Sequence, residues 1–323
     1  VRILIVKTSS MGDVVHALPL AADLARHVPG AQIDWLVEES FAAIPAMSRH
    51  VRRVHRVALR RWRRAPLQRA TWAEMAAARA SLRHGAYDWV LDVQGLLKSA
   101  WVARWAGAPV AGLSSATARE RIAAAFYARR VAIARDLHAV ERCRRLGAAV
   151  FGYEPQSRPR FDLNVAAAPA ASTAPPTAPP TAVLLVNASR ATKLWPEERW
   201  IALEQSLAER GMASRLIWGT PQEQQRSERL AARMRRASVA PRAPIDTIAT
   251  ELASARLVVG LDTGLTHLAA ALGRPTVGIY CDYDPALVGL VGDGAVASLG
   301  GVKQSPTVEA VLAAVGPMLQ GAR

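Results

Sequence analysis

The chain opens with Val1-Arg2-Ile3-Leu4-Ile5-Val6-Lys7-Thr8-Ser9-Ser10-Met11-Gly12-Asp13-Val14-Val15-His16, and its fold class follows from how that stretch changes character. Ile3 to Val6 is an unbroken apolar, β-branched run, the pattern of a strand buried on both faces. It is too short for the apolar core of a signal peptide and lacks a small-residue cleavage site. A polar loop follows, and from about Asp13 to Arg26 the apolar residues recur at helical spacing. Strand, loop and helix together make the first half of a parallel βαβ unit.

The same alternation continues outward. Ile33–Val37, Val54–Leu59, Trp89–Asp92 and Val131–Ala134 read as strands, and Trp72–Leu82 as a helix. Ala166–Ala182 contains two Pro-Pro pairs, cannot continue a helix or a central strand, and reads as a semi-rigid linker. Then the rhythm restarts: strand Val183–Val186, helix Glu197–Arg210, strand Arg215–Trp218, helix Pro221–Arg233. Strand Leu257–Gly260, helix Thr266–Leu272 and strand Thr276–Tyr280 follow. This predicts an α/β protein of two doubly wound domains, residues 1–165 and 183–305, joined by a linker at 166–182. No period of 20–50 residues recurs, which excludes a solenoid.

At 323 residues, 51% hydrophobic and 21% charged, the chain is too apolar for disorder and long enough for two cores. No stretch approaches about 18 consecutive apolar residues, so no membrane span is expected. Cys143 and Cys281 are too few for a disulfide framework or a zinc cage and read as inert thiols. Neither the dinucleotide fingerprint nor the P-loop is present, which argues against a dehydrogenase or a P-loop kinase. The net charge of +15 is unevenly placed: the first 165 residues carry 26 Lys and Arg against 13 Asp and Glu, the rest 15 against 13. The first domain is therefore expected to meet an anionic partner.

Ligands of open α/β sheets bind outside the carboxyl ends of the strands, so the loops after strands carry the chemistry. In the first of them, Asp13 either caps the helix or serves as a general base for a hydroxyl, kept ionised by the helix N-terminus. Arg49–Arg64 holds eight arginines and no acid in sixteen positions. Its Arg60, Arg61, Arg63 and Arg64 follow a strand and suit phosphate or carboxylate; Trp62 among them also fits stacking on single-stranded nucleic acid. Arg119, Arg121 and Arg129-Arg130 form a second basic group. In the second domain, Gly260-Leu261-Asp262-Thr263-Gly264-Leu265-Thr266-His267 turns from strand to helix. Its first amides and the Thr263 hydroxyl offer a diphosphate site, to which His267 can add a donor. Ser189 and Lys193 follow the domain's first strand and can reach phosphates; lysine is rare here, four against 37 arginines. Glu223, after the next strand, suits a ribose diol or simply caps a helix.

Lys7 to Asp13 with His16, Arg60-Arg61-Trp62-Arg63, Lys193 with Trp195-Pro196, Trp218-Gly219, and Asp262-Thr263-Gly264 with His267, in this order and spacing, resemble the lipopolysaccharide heptosyltransferases of glycosyltransferase family 9 over nearly the whole chain. The resemblance implies a GT-B architecture, two Rossmann-like domains facing across a cleft, with the last helix, about 306–319, crossing back onto the first. It implies inverting transfer of L-glycero-D-manno-heptose from ADP-heptose to the inner Kdo of Kdo2-lipid A. Asp13 falls on the family's catalytic base. Ser189, Lys193, Glu223, Asp262, Thr263, Gly264 and His267 fall on donor-binding positions, and Ser10, Gly12, Arg60, Arg61, Arg63 and Arg119 on acceptor-binding ones. No metal or other cofactor is implied, and the protein is expected to be a monomer. It is expected in the cytoplasm, peripheral on the anionic cytoplasmic leaflet of the inner membrane.

The chain departs from the family at Cys281-Asp282-Tyr283-Asp284-Pro285, where Gly-Pro-Thr-Asp-Pro is usual, and so spells Asp-x-Asp, a metal motif in glycosyltransferases of another fold. Two other readings compete. One is a family member of the heptosyltransferase II type, using the same donor on a heptosylated acceptor. The other is a non-catalytic nucleic-acid-binding protein, which would leave Asp262-Thr263-Gly264 and Glu223 without a task; no nucleic-acid partner is expected.

Overall fold

The structure is a computed structural model that describes residues 1–155, 158–165 and 179–320. It separates into two compact units, Val1–Asn164 and Val165–Arg323.

The first unit runs β1 (Arg2–Val6), α1 (Met11–His27), β2 (Gln32–Glu38), α2 (Ala43–Ala46), β3 (Val51–Val57), α3 (Leu59–Arg64), α4 (Arg69–His84), β4 (Trp89–Asp92), α5 (Leu97–Ala103), β5 (Val110–Leu113), β6 (Arg129–Val131) and α6 (Ala139–Phe151). All pairings are parallel, in the order β3-β2-β1-β4-β5-β6. Ile3, Leu4, Ile5 and Val6 are fully buried, as a central strand covered on both faces requires. Helix α6 lies close on α1 because Gly147 has no side chain there; a Cβ at that position would collide with Leu20 Cδ1. Arg144 of α6 donates to both oxygens of Asp23 on α1, at 2.7 and 3.1 Å, satisfying a buried charge with a buried charge.

The second unit runs β7 (Thr181–Leu185), α7 (Glu197–Glu209), β8 (Ala213–Leu216), α8 (Pro221–Ala231), β9 (Ala237–Val239), α9 (Ile245–Ser254), β10 (Leu257–Leu261), α10 (Gly264–Ala271), β11 (Thr276–Tyr280), α11 (Pro285–Val288), β12 (Val296–Gly300) and α12 (Val308–Gln320). Its parallel order, β12-β11-β10-β7-β8-β9, is the first unit's topology again. The core gathers Trp195 and Trp200, edge to face at 5.0 Å, with Leu184, Val259 and Ile279.

Several boundaries move. The strand expected at Val54–Leu59 is β3, Val51–Val57, and Leu59 already opens α3. The one expected at Val131–Ala134 ends at Val131. Of the linker assigned to 166–182, residues 166–178 lie outside the described residues, while Thr181 and Ala182 belong to β7. The last helix, expected to cross back onto the first domain, belongs to the second unit: Val311 and Val315 of α12 are buried in its core.

Candidate active site

In a doubly wound sheet the crevice opens where the strand order reverses, because crossovers on its two sides leave to opposite faces. In the first unit that point lies between β1 and β4, so the loops after these strands meet. Ser10 is the N-cap of α1 and Asp13 the third helical residue. The Ser10 N–H and hydroxyl both donate to Asp13 Oδ2, at 2.9 and 2.7 Å. Asp13 Oδ1 accepts no hydrogen bond from the described residues and lies 3.8 Å from Lys7 Nζ, with 32% of the side chain exposed. Burial pushes the Asp13 pKa up, but Lys7, the two Ser10 donors and Arg119 outweigh it and hold the carboxyl below the usual range. Asp13 is thus an ionised carboxylate with one oxygen fixed and the other open.

The loop is fixed by a residue after β4. Gln94 Oε1 accepts from the N–H groups of Thr8 and Ser9, at 2.9 and 3.2 Å, and its amide nitrogen donates to the Ser9 carbonyl. Gln94 is aimed by Asp92, fully buried at the end of β4. That carboxylate accepts from the N–H groups of Gln94 and Gly95 and the hydroxyls of Ser99 and Tyr127. Burial raises the Asp92 pKa. Lys7 is held by the Val93 carbonyl at 3.0 Å, so both strand ends converge on Asp13.

In the second unit the order reverses between β7 and β10. Lys193, in a short 3-10 turn after β7, donates to Asp262 Oδ2 at 2.5 Å and to the Asp262 carbonyl at 3.1 Å. His267 Nε2 lies 3.3 Å from Asp262 Oδ1. Desolvation opposes ionisation of Asp262, and its bonds to His267 and Lys193 prevail, lowering its pKa. Thr263 is the N-cap of α10, with its hydroxyl 3.2 Å from that of Thr266. The first N–H groups of α10 have no intrahelical acceptor and form an anion-binding end. The Tyr283 ring covers Lys193 Nζ at 4.9 Å and the Arg190 guanidinium at 5.3 Å. After β8, Thr220 caps α8, and Glu223 Oε2 accepts from Gly219 and Thr220 at 2.8 and 3.0 Å. The second switch point therefore presents cations and amides, with Asp262 enclosed between Lys193 and His267 and Asp282 beside Arg190.

The family model described as glycosyltransferase family 9 (heptosyltransferase) matches residues 75–314. The chain belongs to glycosyltransferase family 9. It is 45% identical over 290 residues to lipopolysaccharide heptosyltransferase 1 of Escherichia coli (strain K12), covering 89% of this chain and 90% of that one. To the protein of the same name from Pseudomonas aeruginosa it is 44% identical over 293 residues, covering 90% and 81%. The solved structure of E. coli heptosyltransferase WaaC with ADP matches 98% of this chain and 100% of its own, at 41% identity and a TM-score of 0.88. The GT-B fold is thereby shown, and so is a glycosyltransferase activity.

Each unit of this family 9 chain gathers sequence-selected residues at the carboxyl ends of its own strands. Arg60, Arg61, Arg63 and Arg64 lie on α3 at the carboxyl end of β3. Arg61 is neutralised: it bonds Glu39 at 3.1 and 3.2 Å and Glu74 at 2.9 Å. Arg49 pairs with Asp162 and Arg52 with Asp34, so the acid-free run finds its acids elsewhere in the chain. Trp62 is buried and donates to Glu74 at 2.7 Å, so it is not a stacking platform for nucleic acid. Arg60 lies over the Phe41 ring at 5.4 Å. Arg63 and Arg119 are exposed and pair with no carboxylate among the described residues. His267 is buried, with Nε2 3.3 Å from Asp262 Oδ1. Ser189 is exposed beside Arg190, and Gly12 and Gly264 sit in the first turns of α1 and α10. Asp282 accepts from Thr192 at 2.8 Å and Asp284 caps α11, so the Asp-x-Asp residues are engaged with the protein itself. Sequence reasoning missed Gln94, Asp92, Arg190 and Tyr283. Position alone could have flagged Gln94, two residues past β4 at a reversal of strand order.

Proposed function

We propose that this chain transfers L-glycero-D-manno-heptose from ADP-heptose to the inner Kdo of Kdo2-lipid A, with inversion at the anomeric carbon, in lipopolysaccharide core synthesis. The observation that carries the reading is Asp13: an ionised carboxylate with an open oxygen, at the switch point of a chain 44–45% identical to two heptosyltransferase 1 proteins. Those relatives favour the first heptosyltransferase over the type that extends a heptosylated acceptor.

Asp13 Oδ1 takes the proton from the Kdo hydroxyl as that oxygen bonds to the anomeric carbon and the bond to ADP breaks. An ordinary carboxylate suffices because the hydroxyl loses its proton late, once bonding has made it acidic. Exposed Arg60, Arg63 and Arg119 hold the acceptor's carboxylates and phosphates, with Ser10 and Gly12 against its sugar, while Arg61, bound to Glu39 and Glu74, orders α3. In the second unit, Lys193 and the amides of Thr263 and Gly264 offset the charge growing on the departing diphosphate. Asp262 and His267 place Lys193, Ser189 reaches a phosphate, and Glu223 accepts from the ribose through Oε1. No obligatory metal is required, and turnover is expected to persist in a chelator. The enzyme works as a monomer, peripheral on the anionic cytoplasmic leaflet; among the described residues no helix is long and apolar enough to cross a membrane.

Incubation with ADP-heptose and Kdo2-lipid A tests the reading: the acceptor should gain the mass of one heptose. Gain only on an already heptosylated acceptor would transfer the assignment to the second type of enzyme.

A further inference from the structure

Away from the switch point, the first unit has an open cavity of about 810 Å³ lined by Arg79 and Arg83 of α4, Trp101 of α5, Arg104 and Trp105 just beyond it, and Phe126. It also takes in Pro109 and Val110 at the amino end of β5, whereas Asp13 stands at the carboxyl end of β1. In a parallel sheet these are opposite edges, so the cavity is separate from the catalytic loops. No carboxylate lines it, and the three guanidinium groups make no hydrogen bond or ion pair with the described residues.

The cavity is the lower end of a longer surface. Trp72, Ala76, Arg79 and Arg83 recur at i, i+4, i+7 and i+11 along α4, all exposed, a stripe of about 16 Å. Trp72 is 60% exposed and Trp101 44%, unusual for the largest apolar side chain. Leu97, Trp101 and Arg104 repeat the pattern beside it, and Ile122 is exposed on the 3-10 helix Arg121–Phe126 that packs on α5. The upper end of the stripe begins next to α3, at the catalytic edge. The only acid on α4, Glu74, is taken by Arg61 and Trp62.

We propose that this α4–α5 face docks on an anionic phospholipid surface, with one headgroup phosphate seated in the cavity among Arg79, Arg83 and Arg104. Tryptophan has an apolar body and a polar N–H and settles at the headgroup level, while arginine buries its stem and keeps its charge at the phosphates. Charge complementarity selects this occupant: three unpaired guanidiniums with an aromatic floor suit a phosphate that carries apolar chains. Docked this way, the helical layer lies along the leaflet and the catalytic edge stands at its upper margin, where a lipid-borne sugar projects. The inference rests on the peripheral placement proposed above and names its contact surface.

The test is co-sedimentation with phosphatidylcholine vesicles, with and without phosphatidylglycerol. The full chain should bind only the anionic vesicles. The triple variant R79A/R83A/R104A should bind at least about tenfold more weakly, the triple Lys variant should retain most binding, and Trp101→Ala should weaken it alone. Melting temperatures should be unchanged, since all four side chains are exposed. Equal binding by the wild type and the Ala triple would overturn the proposal. So would competition by inorganic phosphate without vesicle binding, which would mark a free-phosphate pocket. Transfer to a delipidated, water-soluble acceptor should be unaffected in every variant; its loss in the wild type would instead defeat the proposed reaction.

Discussion

Lys7 Nζ stands 3.8 Å from Asp13 Oδ1 in the first unit, and Lys193 Nζ stands 2.5 Å from Asp262 Oδ2 in the second. Both pairs occupy the reversal point of the same strand order, and both aspartates are held ionised. What differs is closure. Asp13 spends one oxygen on Ser10 and leaves the other open, with the side chain 32% exposed. Asp262 spends one oxygen on Lys193 and the other on His267, and is 10% exposed. One crevice keeps a negative charge available to a proton; the other encloses its negative charge to hold a cation in place. A topology repeated twice thus gives an open carboxylate in one unit and an enclosed one in the other, according to which partners the aspartate finds.

The largest effect that could break this contrast is Asp13→Asn. It keeps the side chain's shape and removes the base, so turnover should fall about 10³-fold while ADP-heptose affinity stays within a few-fold. Equal losses of both, by transfer assay and calorimetry, would make Asp13 a structural cap only. Next comes Lys193→Met. It deprives Asp262 of its main cation and the diphosphate of its offset, and should cost about 10²-fold in turnover together with ADP affinity. Asp262→Asn should be milder, because it frees Lys193 while leaving it unplaced.

The pH dependence sharpens the contrast further. Both aspartates have folded pKa values below their unfolded ones, so the stability they contribute is present above about pH 4 and lost as pH falls through the folded values. Turnover should therefore show no acid limb between about pH 5 and 7; a limb there would implicate another group. The smallest expected effect is Gln94→Ala. It leaves the Thr8 and Ser9 N–H groups unpartnered and should cost about 2 kcal/mol, read as a lower melting temperature with a partial loss of turnover. The Gln94→Glu variant would not restore the bond from the side-chain amide to the Ser9 carbonyl, because a carboxylate has no N–H to donate.

The alternation of buried strands and helices was legible along the chain because a strand covered on both faces must be apolar throughout, as Ile3–Val6 and Val183–Val186 are. Short strands were less so. Val110–Leu113, Ala237–Val239 and Val296–Gly300 are at least half Ala, Ser and Gly, so no β-branched run marks them, and their pairing partners decide them. The partners of Arg49, Arg52 and Arg61 in the arginine run were hidden for a related reason. These acids, Asp34, Glu39, Glu74 and Asp162, come from β2, the turn after it, α4 and the segment after α6, so a local window saw charge without compensation.

By itself the sequence determined which residues begin helices after strands, and hence that Asp13, Glu223 and Thr263 stand at helix starts on the ligand-facing edge; local propensity and short-range hydrogen bonds suffice for that. Only the tertiary structure decided what each of those groups faces. Whether a carboxylate is open or enclosed depends on loops from strands far apart in the chain, Val93 and Gln94 for Asp13's loop and Lys193 for Asp262, and those meet only where the sheet reverses its order.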